Sequence, residues 1–154
     1  MDQFMERAVE LSLANVREGG QPFGAVLVKD NQILAEGVNK LHKIQDVSGH
    51  AEMLAIRRAQ QALKADSLAG SIMYASGEPC PMCLAAMYMA GIEEAYYCAS
   101  VEEAVQAGLG KSQIIYEDLR KPKAERRLSM TQMPLAEDRE NPLELWVKHS
   151  SEKI

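Results

Sequence analysis

The stretches SGHAEMLAI, residues 48–56, and GEPCPMCLA, residues 77–85, decide how this chain folds and which chemistry it can carry. Each opens an apolar run that predicts a helix, Ala51–Leu63 in the first case and Pro81–Ala90 in the second. Both place side chains that can bind a metal or carry a proton where the helix begins. The sequence therefore predicts that two helix N-termini contribute to one site.

Strand and helix signals alternate outward from these two stretches. The predicted elements are a helix at 2–18, strands at 25–29 and 32–38, a helix at 51–63, a strand at 71–76, a helix at 81–90, a strand at 94–100, a short helix at 101–107, a weak strand at 114–116, a stronger strand at 129–135 and a helix at 141–153. This order predicts an α/β fold, a three-layer α/β/α sandwich with a central mixed sheet of about five strands. The absence of repeats and low-complexity linkers predicts a single domain over residues 1–154.

Composition narrows the class of protein. The chain has 22 acidic and 17 basic residues, a net charge of −5, which disfavours a nucleic-acid partner on electrostatic grounds. Its apolar runs fall short of the roughly 18 residues that span a bilayer, so no membrane association is predicted. Three cysteines, an odd number, argue against a disulfide framework. The acidic N-terminal stretch does not look like a signal peptide, and the predicted location is cytoplasmic.

Cys80 and Cys83 predict a metal site. They are three residues apart and share one face of the helix, while Pro81 suits its first position. Thiolates are favoured at a helix N-terminus, and zinc prefers cysteine and neutral histidine as ligands. His50, directly before the other helix, is the natural third ligand. Three protein ligands leave one tetrahedral position for water, which is typical of a catalytic zinc site.

Glu52 is predicted to carry protons rather than to bind the metal. Residues two apart on a helix point about 200° apart, so Glu52 and His50 cannot ligate one ion together. A carboxylate in the first turn can instead take a proton from water and pass it to a substrate. Of the remaining candidates, Cys98 is predicted to be a buried inert thiol, and His42 and His149 to be surface residues.

His-x-Glu at one helix start and Pro-Cys-x-x-Cys at the next is the signature of zinc-dependent nucleobase deaminases. A lone Cys-x-x-Cys is compatible with redox chemistry or with a structural zinc site. A redox site has no need of His50 and Glu52, and a closed structural site needs a fourth ligand. The combination therefore favours a catalytic zinc site.

On these motifs the chain resembles the cytidine deaminase superfamily, and within it the small bacterial guanine deaminases. The resemblance is carried by GGQPFGAVLVKDNQILAEGVN, GHAEMLAIR, EPCPMCLAAMY, EAVQAG, KPKAERRL and NPLELW, which together extend over nearly the whole chain. It implies the cytidine deaminase-like fold, with His50, Cys80 and Cys83 as zinc ligands and Glu52 as the proton carrier. It also implies three substrate contacts: the side chain of Asn39, the backbone of Ala51 and the aromatic ring of Phe23. Asn39 has an alternative reading as a turn residue, and Phe23 has one as a core residue.

Four positions depart from the guanine deaminase pattern. Lys111 stands where that branch has an acidic residue, Ser100 where it has a second acid, Met89 replaces an aromatic residue, and Ile154 ends the chain in place of a tyrosine. Lysine only donates hydrogen bonds, whereas a carboxylate accepts them from the N–H groups of guanine. These departures leave the choice of base open.

The expected function is hydrolytic deamination of a free nucleobase with release of ammonia, and guanine or isocytosine is the best candidate. Cytosine or another amino-pyrimidine or aminotriazine is an alternative substrate. A tRNA adenosine deaminase and a non-catalytic zinc-containing binding module are alternative functions. The resemblance also implies a homodimer, in which the C-terminal helix near Trp146 is either exchanged between protomers or part of the ordinary core.

Overall fold

The computed structural model describes residues 1–151. Its helices are α1 (Gln3–Arg17), α2 (Leu41–Ile44), α3 (Ala51–Leu63), α4 (Pro81–Ala90), α5 (Val101–Gln106), α6 (Lys111–Leu119) and α7 (Pro142–Ser151), with a short 3-10 helix at Lys123–Glu125. Its strands are β1 (Gly24–Lys29), β2 (Gln32–Val38), β3 (Ile72–Gly77) and β4 (Glu94–Ala99). Among these residues, no helix combines the length and apolar character needed to cross a membrane.

The strands form one mixed sheet in the order β2-β1-β3-β4. Strand β1 pairs antiparallel with both β2 and β3, whereas β3 pairs parallel with β4. Asp30 and Asn31 join β1 to β2 and both have positive φ, a conformation that these two residue types tolerate better than most. Strand β3 lies between β1 and β4, and the loop that follows it is tied to β4 by the hydrogen bond from the Glu78 N–H to the Ala99 carbonyl oxygen.

Each face of the sheet is covered by helices. On one face Phe4, Met5 and Ala8 of α1 pack against Val26 and Tyr74. On the other face, α3 and α4 cover the remaining side chains of β1 and β3, a cluster that comprises Ala25, Leu27, Ala51, Ala55, Ile56, Ala59, Leu68, Met73, Met87, Ala90 and Ile92. The alternation of side chains along a strand divides the core in this way. This arrangement confirms the predicted α/β/α architecture.

The helices on the second face begin at residues with polar side chains. His50 occupies the N-cap of α3 in extended conformation, and Cys80 occupies the N-cap of α4, where its sulfur accepts a hydrogen bond from the Cys83 N–H. Pro81 at the first position of α4 fits because that position needs no N–H donor. Gly91 ends α4 with φ +80°, a left-handed conformation suited to glycine. The ligand-bearing residues thus also set where the helices start.

A close backbone approach fixes the position of α3 against the sheet. A Cβ atom at Gly37 would lie 2.3 Å from the carbonyl oxygen of Ala51 and 3.0 Å from the backbone nitrogen of Ala55. Only glycine allows β2 and the first turn of α3 to come this near. His50, which immediately precedes that turn, is therefore positioned by backbone-to-backbone contact.

The predicted fifth strand is absent from the described residues, which contain four strands. Residues 114–116 lie inside α6, and residues 129–135 have no regular secondary structure. The prediction that Cys98 is buried is also wrong: β4 forms an edge of the sheet and the Cys98 thiol is exposed. An apolar run does not by itself tell a strand from a short helix, nor a central strand from an edge strand.

Residues 1–120 form one compact unit, and the chain from Lys121 onward forms a second. Helix α7 in the second unit carries exposed apolar side chains, among them Leu143, Trp146 and Val147. Ile154, one of the departures from the guanine deaminase pattern, lies outside the described residues. The single domain with an exchanged C-terminal helix stays a prediction.

Candidate metal centre and its cavity

His50, Cys80 and Cys83 converge at the N-termini of α3 and α4. Their ligand atoms all lie within 4.8 Å of one another. The Nδ1 atom of His50 is 3.5 Å from the sulfur of Cys80 and 3.7 Å from the sulfur of Cys83. The residues that the sequence singled out as metal ligands are therefore brought together by the fold.

These distances fit a tetrahedral zinc ion. With Zn–N of ~2.0–2.1 Å and Zn–S of ~2.3 Å, a tetrahedral angle separates a nitrogen ligand from a sulfur ligand by about 3.5–3.6 Å. Among the described residues this is the one group of three or more His, Cys, Asp or Glu side chains arranged to share a metal ion. A donor set of two thiolates and one imidazole also binds zinc in preference to harder cations such as magnesium. The residues present thus fit zinc, and they leave a coordination position open.

The charges within the cluster favour a cation. The hydrogen bond from Cys83 lowers the pKa of Cys80 to about 4, with a further contribution from His50. The same pairing and burial raise the pKa of Cys83, because two neighbouring thiolates repel each other. The contact with Cys80 raises the pKa of His50. A divalent cation among these groups favours ionisation of both thiols.

Glu52 lies in the first turn of α3, two residues after His50, and is 6% exposed. Burial raises the pKa of its carboxyl group to about 7, and a hydrogen bond with the Cys83 thiol partly opposes this rise. Glu52 lines the cavity beside the metal centre but does not belong to the ligand cluster. A buried carboxyl that titrates near neutrality can both accept and release a proton.

The metal centre opens into a cavity of about 530 Å³ within residues 1–120. Apolar side chains dominate its walls, and the polar groups among them are few, as is common for small-molecule sites. Its lining residues include Gln21, Phe23, Glu78, Ser100, Lys111 and Ser112.

The three residues predicted to contact the substrate have different surroundings in the structure. Phe23 lines the cavity, and its ring lies where a Cβ at Gly77 would come within 2.8 Å of it. Asn39 is 1% exposed; its Nδ2 lies 3.3 Å from the Gln21 Oε1 and its Oδ1 accepts a hydrogen bond from the Leu41 N–H. Ala51 is buried beneath the first turn of α3. Their roles toward a substrate stay predictions.

Of the departures from the guanine deaminase pattern, Lys111 and Ser100 lie at the cavity and Met89 does not. Ser100 is the N-cap of α5, where it forms a capping box with Glu103. Met89 is 90% exposed on α4. Serine at position 100 therefore has a local structural reason, since its hydroxyl satisfies a backbone N–H at the start of a helix.

Two residues that sequence reasoning missed hold the cavity wall together. The Glu78 carboxylate accepts a hydrogen bond from the Val101 N–H at 3.2 Å, which ties the loop after β3 to α5. The Tyr116 hydroxyl donates to the Pro79 carbonyl oxygen at 2.5 Å, and burial raises the pKa of that hydroxyl to about 12. Neither has a local sequence signal, because each acts on a partner far away along the chain.

Comparisons with known proteins agree with this site. The family described as the cytidine and deoxycytidylate deaminase zinc-binding region matches residues 1–99, which include all three ligands. The guanine deaminase of Bacillus subtilis (strain 168) is 41% identical over 99% of this chain and 97% of its own length. A crystal structure of Bacillus subtilis guanine deaminase covers 100% of the chain and 96% of its own, with a TM-score of 0.83 and 38% identity.

A second kind of relative belongs to the same family. The tRNA-specific adenosine deaminase of Agrobacterium fabrum (strain C58 / ATCC 33970) is 39% identical over 66% of this chain and 70% of its own length. Its match stops short of the full chain, whereas the match to the Bacillus subtilis guanine deaminase does not. The signature residues, their zinc-compatible geometry and these matches together show that the chain is a zinc-dependent deaminase of the cytidine and deoxycytidylate deaminase zinc-binding family.

Proposed function

We propose that this protein deaminates a free nucleobase, with guanine as the first candidate, and releases ammonia. The observation that carries this proposal is an open site of three metal ligands beside the buried carboxyl of Glu52, facing a cavity large enough for a purine. The near-complete match to a guanine deaminase supports guanine over other bases. Isocytosine has a similar amidine edge in a smaller ring and is the second candidate.

His50, Cys80 and Cys83 would hold the zinc ion, which when bound acts as a Lewis acid and lowers the pKa of the attacking water. Glu52 accepts a proton from that water and delivers it to the leaving amino group. Its burial keeps competing bulk water away from the carboxyl. We also propose Phe23 as the aromatic residue of the pocket wall, Asn39 as the side chain that bonds the ring and the Ala51 backbone as the group that meets its edge.

The substrate prediction is tested by ammonia release from zinc-loaded protein across guanine, isocytosine, cytosine, adenine, ammelide and the matching nucleosides. We expect guanine to have the highest kcat/KM, because the chain matches a guanine deaminase over almost its whole length. Nucleosides should react poorly if the site is built for a free base. A preference for cytosine or ammelide would identify the smaller-ring alternative, and no turnover of any free base would refute the proposal.

A tRNA adenosine substrate is the competing function within the family. The acidic total charge of −5 disfavours it, since binding of tRNA relies largely on phosphate contacts from lysine and arginine. Tight, salt-sensitive binding of tRNA in the same experiment would favour it. The other alternative, a non-catalytic zinc-containing binding module, leaves Glu52 without a role. A structural zinc site does not require a buried carboxyl group that lies beside the metal without binding it.

We further propose that the protein is a homodimer in which the C-terminal helix is exchanged between protomers. The exposed apolar side chains of α7, among them Trp146 at 67% exposure, support a partner for that helix. Light scattering should give the mass of a dimer, and cross-linking through a cysteine introduced on α7 of the Cys98→Ser variant, which keeps Cys80 and Cys83, should join two chains. A fully active monomer would contradict the dimer.

We place the protein in the cytoplasm, where its three free thiols stay reduced.

A further inference from the structure

One wall of the cavity carries a cation that no carboxylate neutralises. Lys111, the first residue of α6, lines the cavity. Within residues 1–151, the ion pairs of the protein do not include its ammonium group. His50 and Cys80 of the metal centre line the same cavity as Lys111. Lys111 is exposed where it lines the cavity, so its ammonium group is free to donate hydrogen bonds to an acceptor on a bound ligand.

The neighbours of Lys111 point to the same kind of ligand. Ser112 lines the cavity too, and its hydroxyl is shielded from solvent without a hydrogen-bond partner in the described part of the chain. Gly110 is the N-cap of α6 and offers no side chain to the first-turn N–H groups. These groups form the positive end of the helix dipole. We call Gly110, Lys111 and Ser112 the donor wall.

The donor wall has a fixed position relative to the metal centre. Tyr116, on the same helix, donates its hydroxyl proton to the carbonyl oxygen of Pro79, the residue directly before the Cys80 ligand. The loop before the ligands is tied to α5 through Glu78 and Val101. Since the ligand cluster and the donor wall line one cavity, a substrate whose amino-bearing carbon lies beside the ligands can meet the donor wall with another atom of the same ring system.

We propose that Lys111 is a specificity-determining residue, which donates a hydrogen bond to an oxo group or ring nitrogen of the substrate away from the carbon that bears the reacting amino group. The inference rests on the proposed function and specifies its substrate class: amino heterocycles with an oxo acceptor. An ammonium group has donors only, so an exocyclic amino group facing it would leave donors on both sides unpaired. Guanine and 2,6-diaminopurine form the matched pair, since they share the purine ring and the 2-amino group and differ in an oxo or amino group at carbon 6.

The test measures the dissociation constants of both purines with zinc-loaded protein that carries Glu52→Gln. The kcat/KM for guanine is measured separately in protein that keeps Glu52. The Lys111→Met variant removes the charge and keeps the length, Lys111→Arg keeps the charge, and Lys111→Gln is a second uncharged variant. Lys64→Met, an exposed lysine outside the cavity lining, is the control. Removing a charge-assisted hydrogen bond should lower the binding preference for guanine over 2,6-diaminopurine by roughly 10- to 100-fold in Lys111→Met. The loss should be smaller in Lys111→Gln, whose amide keeps an N–H donor but not the charge. Lys111→Arg and Lys64→Met should keep the preference.

A preference unchanged in both uncharged variants would overturn the role of Lys111, even if guanine is turned over normally. The protein could instead bind guanine in preference to 2,6-diaminopurine through Lys111 and yet turn over no free base. That result would support the role of Lys111 in binding and reject the proposed function. If guanine is turned over and its kcat/KM falls in the same variants as the binding preference, the result supports both the role of Lys111 and the proposed function.

Discussion

Glu52→Gln is expected to lower kcat for ammonia release by about 10²- to 10⁴-fold, the usual contribution of a general acid–base group. Glutamine keeps the size and shape of the buried side chain but neither accepts nor releases a proton at neutral pH. Glu52 is outside the ligand cluster, so zinc content and the thermal unfolding transition should match the wild type. Turnover, metal content and unfolding of the same preparation are measured together.

Glu102→Gln provides the matched control for Glu52→Gln. Glu102 is an exposed residue of α5 and is absent from the cavity lining, so its substitution should leave turnover unchanged. Glu52→Ala should lose activity to a similar degree, although the space left by the side chain adds a stability cost that the glutamine variant avoids. Undiminished turnover in Glu52→Gln would refute the role of Glu52 as proton carrier.

Cys83→Ser should lose zinc, and with it all measurable turnover. Removing a partner that merely orients a ligand typically lowers metal affinity by about 10- to 100-fold, and removing a ligand should cost more. Because zinc binds only the folded site, its loss should also lower the unfolding temperature. Metal content after dialysis, thermal unfolding and ammonia release check these effects, and His50→Ala should behave in the same way.

Cys98→Ser is the internal control for the cysteine substitution. The Cys98 thiol is exposed on β4 and does not belong to the ligand cluster, so this variant should keep zinc, stability and activity. Full zinc occupancy in Cys83→Ser would show that the ion is held by other residues. Loss of zinc in both variants would indicate that oxidation or misfolding, rather than ligation, controls the metal content.

The elements that carry the metal ligands could be predicted from sequence because their signals are local. The boundaries predicted for α3 and α4 match the structure residue for residue. In α4 they follow from Cys80 at the N-cap, Pro81 at the first position and Gly91 after the end. The ligand set followed from residue types and spacing that few chemistries other than zinc binding require.

The parts that failed depend on distant partners. Residues 114–116 have the apolar character of a strand, yet the Tyr116 contact with Pro79 belongs to a helix that closes the cavity. Cys98 lies in an apolar run, but β4 forms an edge of the sheet and its thiol stays exposed. The unpaired state of Lys111 at the cavity likewise depends on which side chains the fold brings near it.

The contact between Gly37 and the first turn of α3 bears on the entropy of metal capture. Since that contact joins backbone to backbone, no side-chain rotamer has to be selected to bring the start of α3 to its place beside the sheet. The Cys80 sulfur is likewise oriented by the hydrogen bond from the Cys83 N–H at the start of α4. A site whose donors are ordered in advance loses little conformational freedom when an ion arrives, so most of the coordination energy is available as affinity.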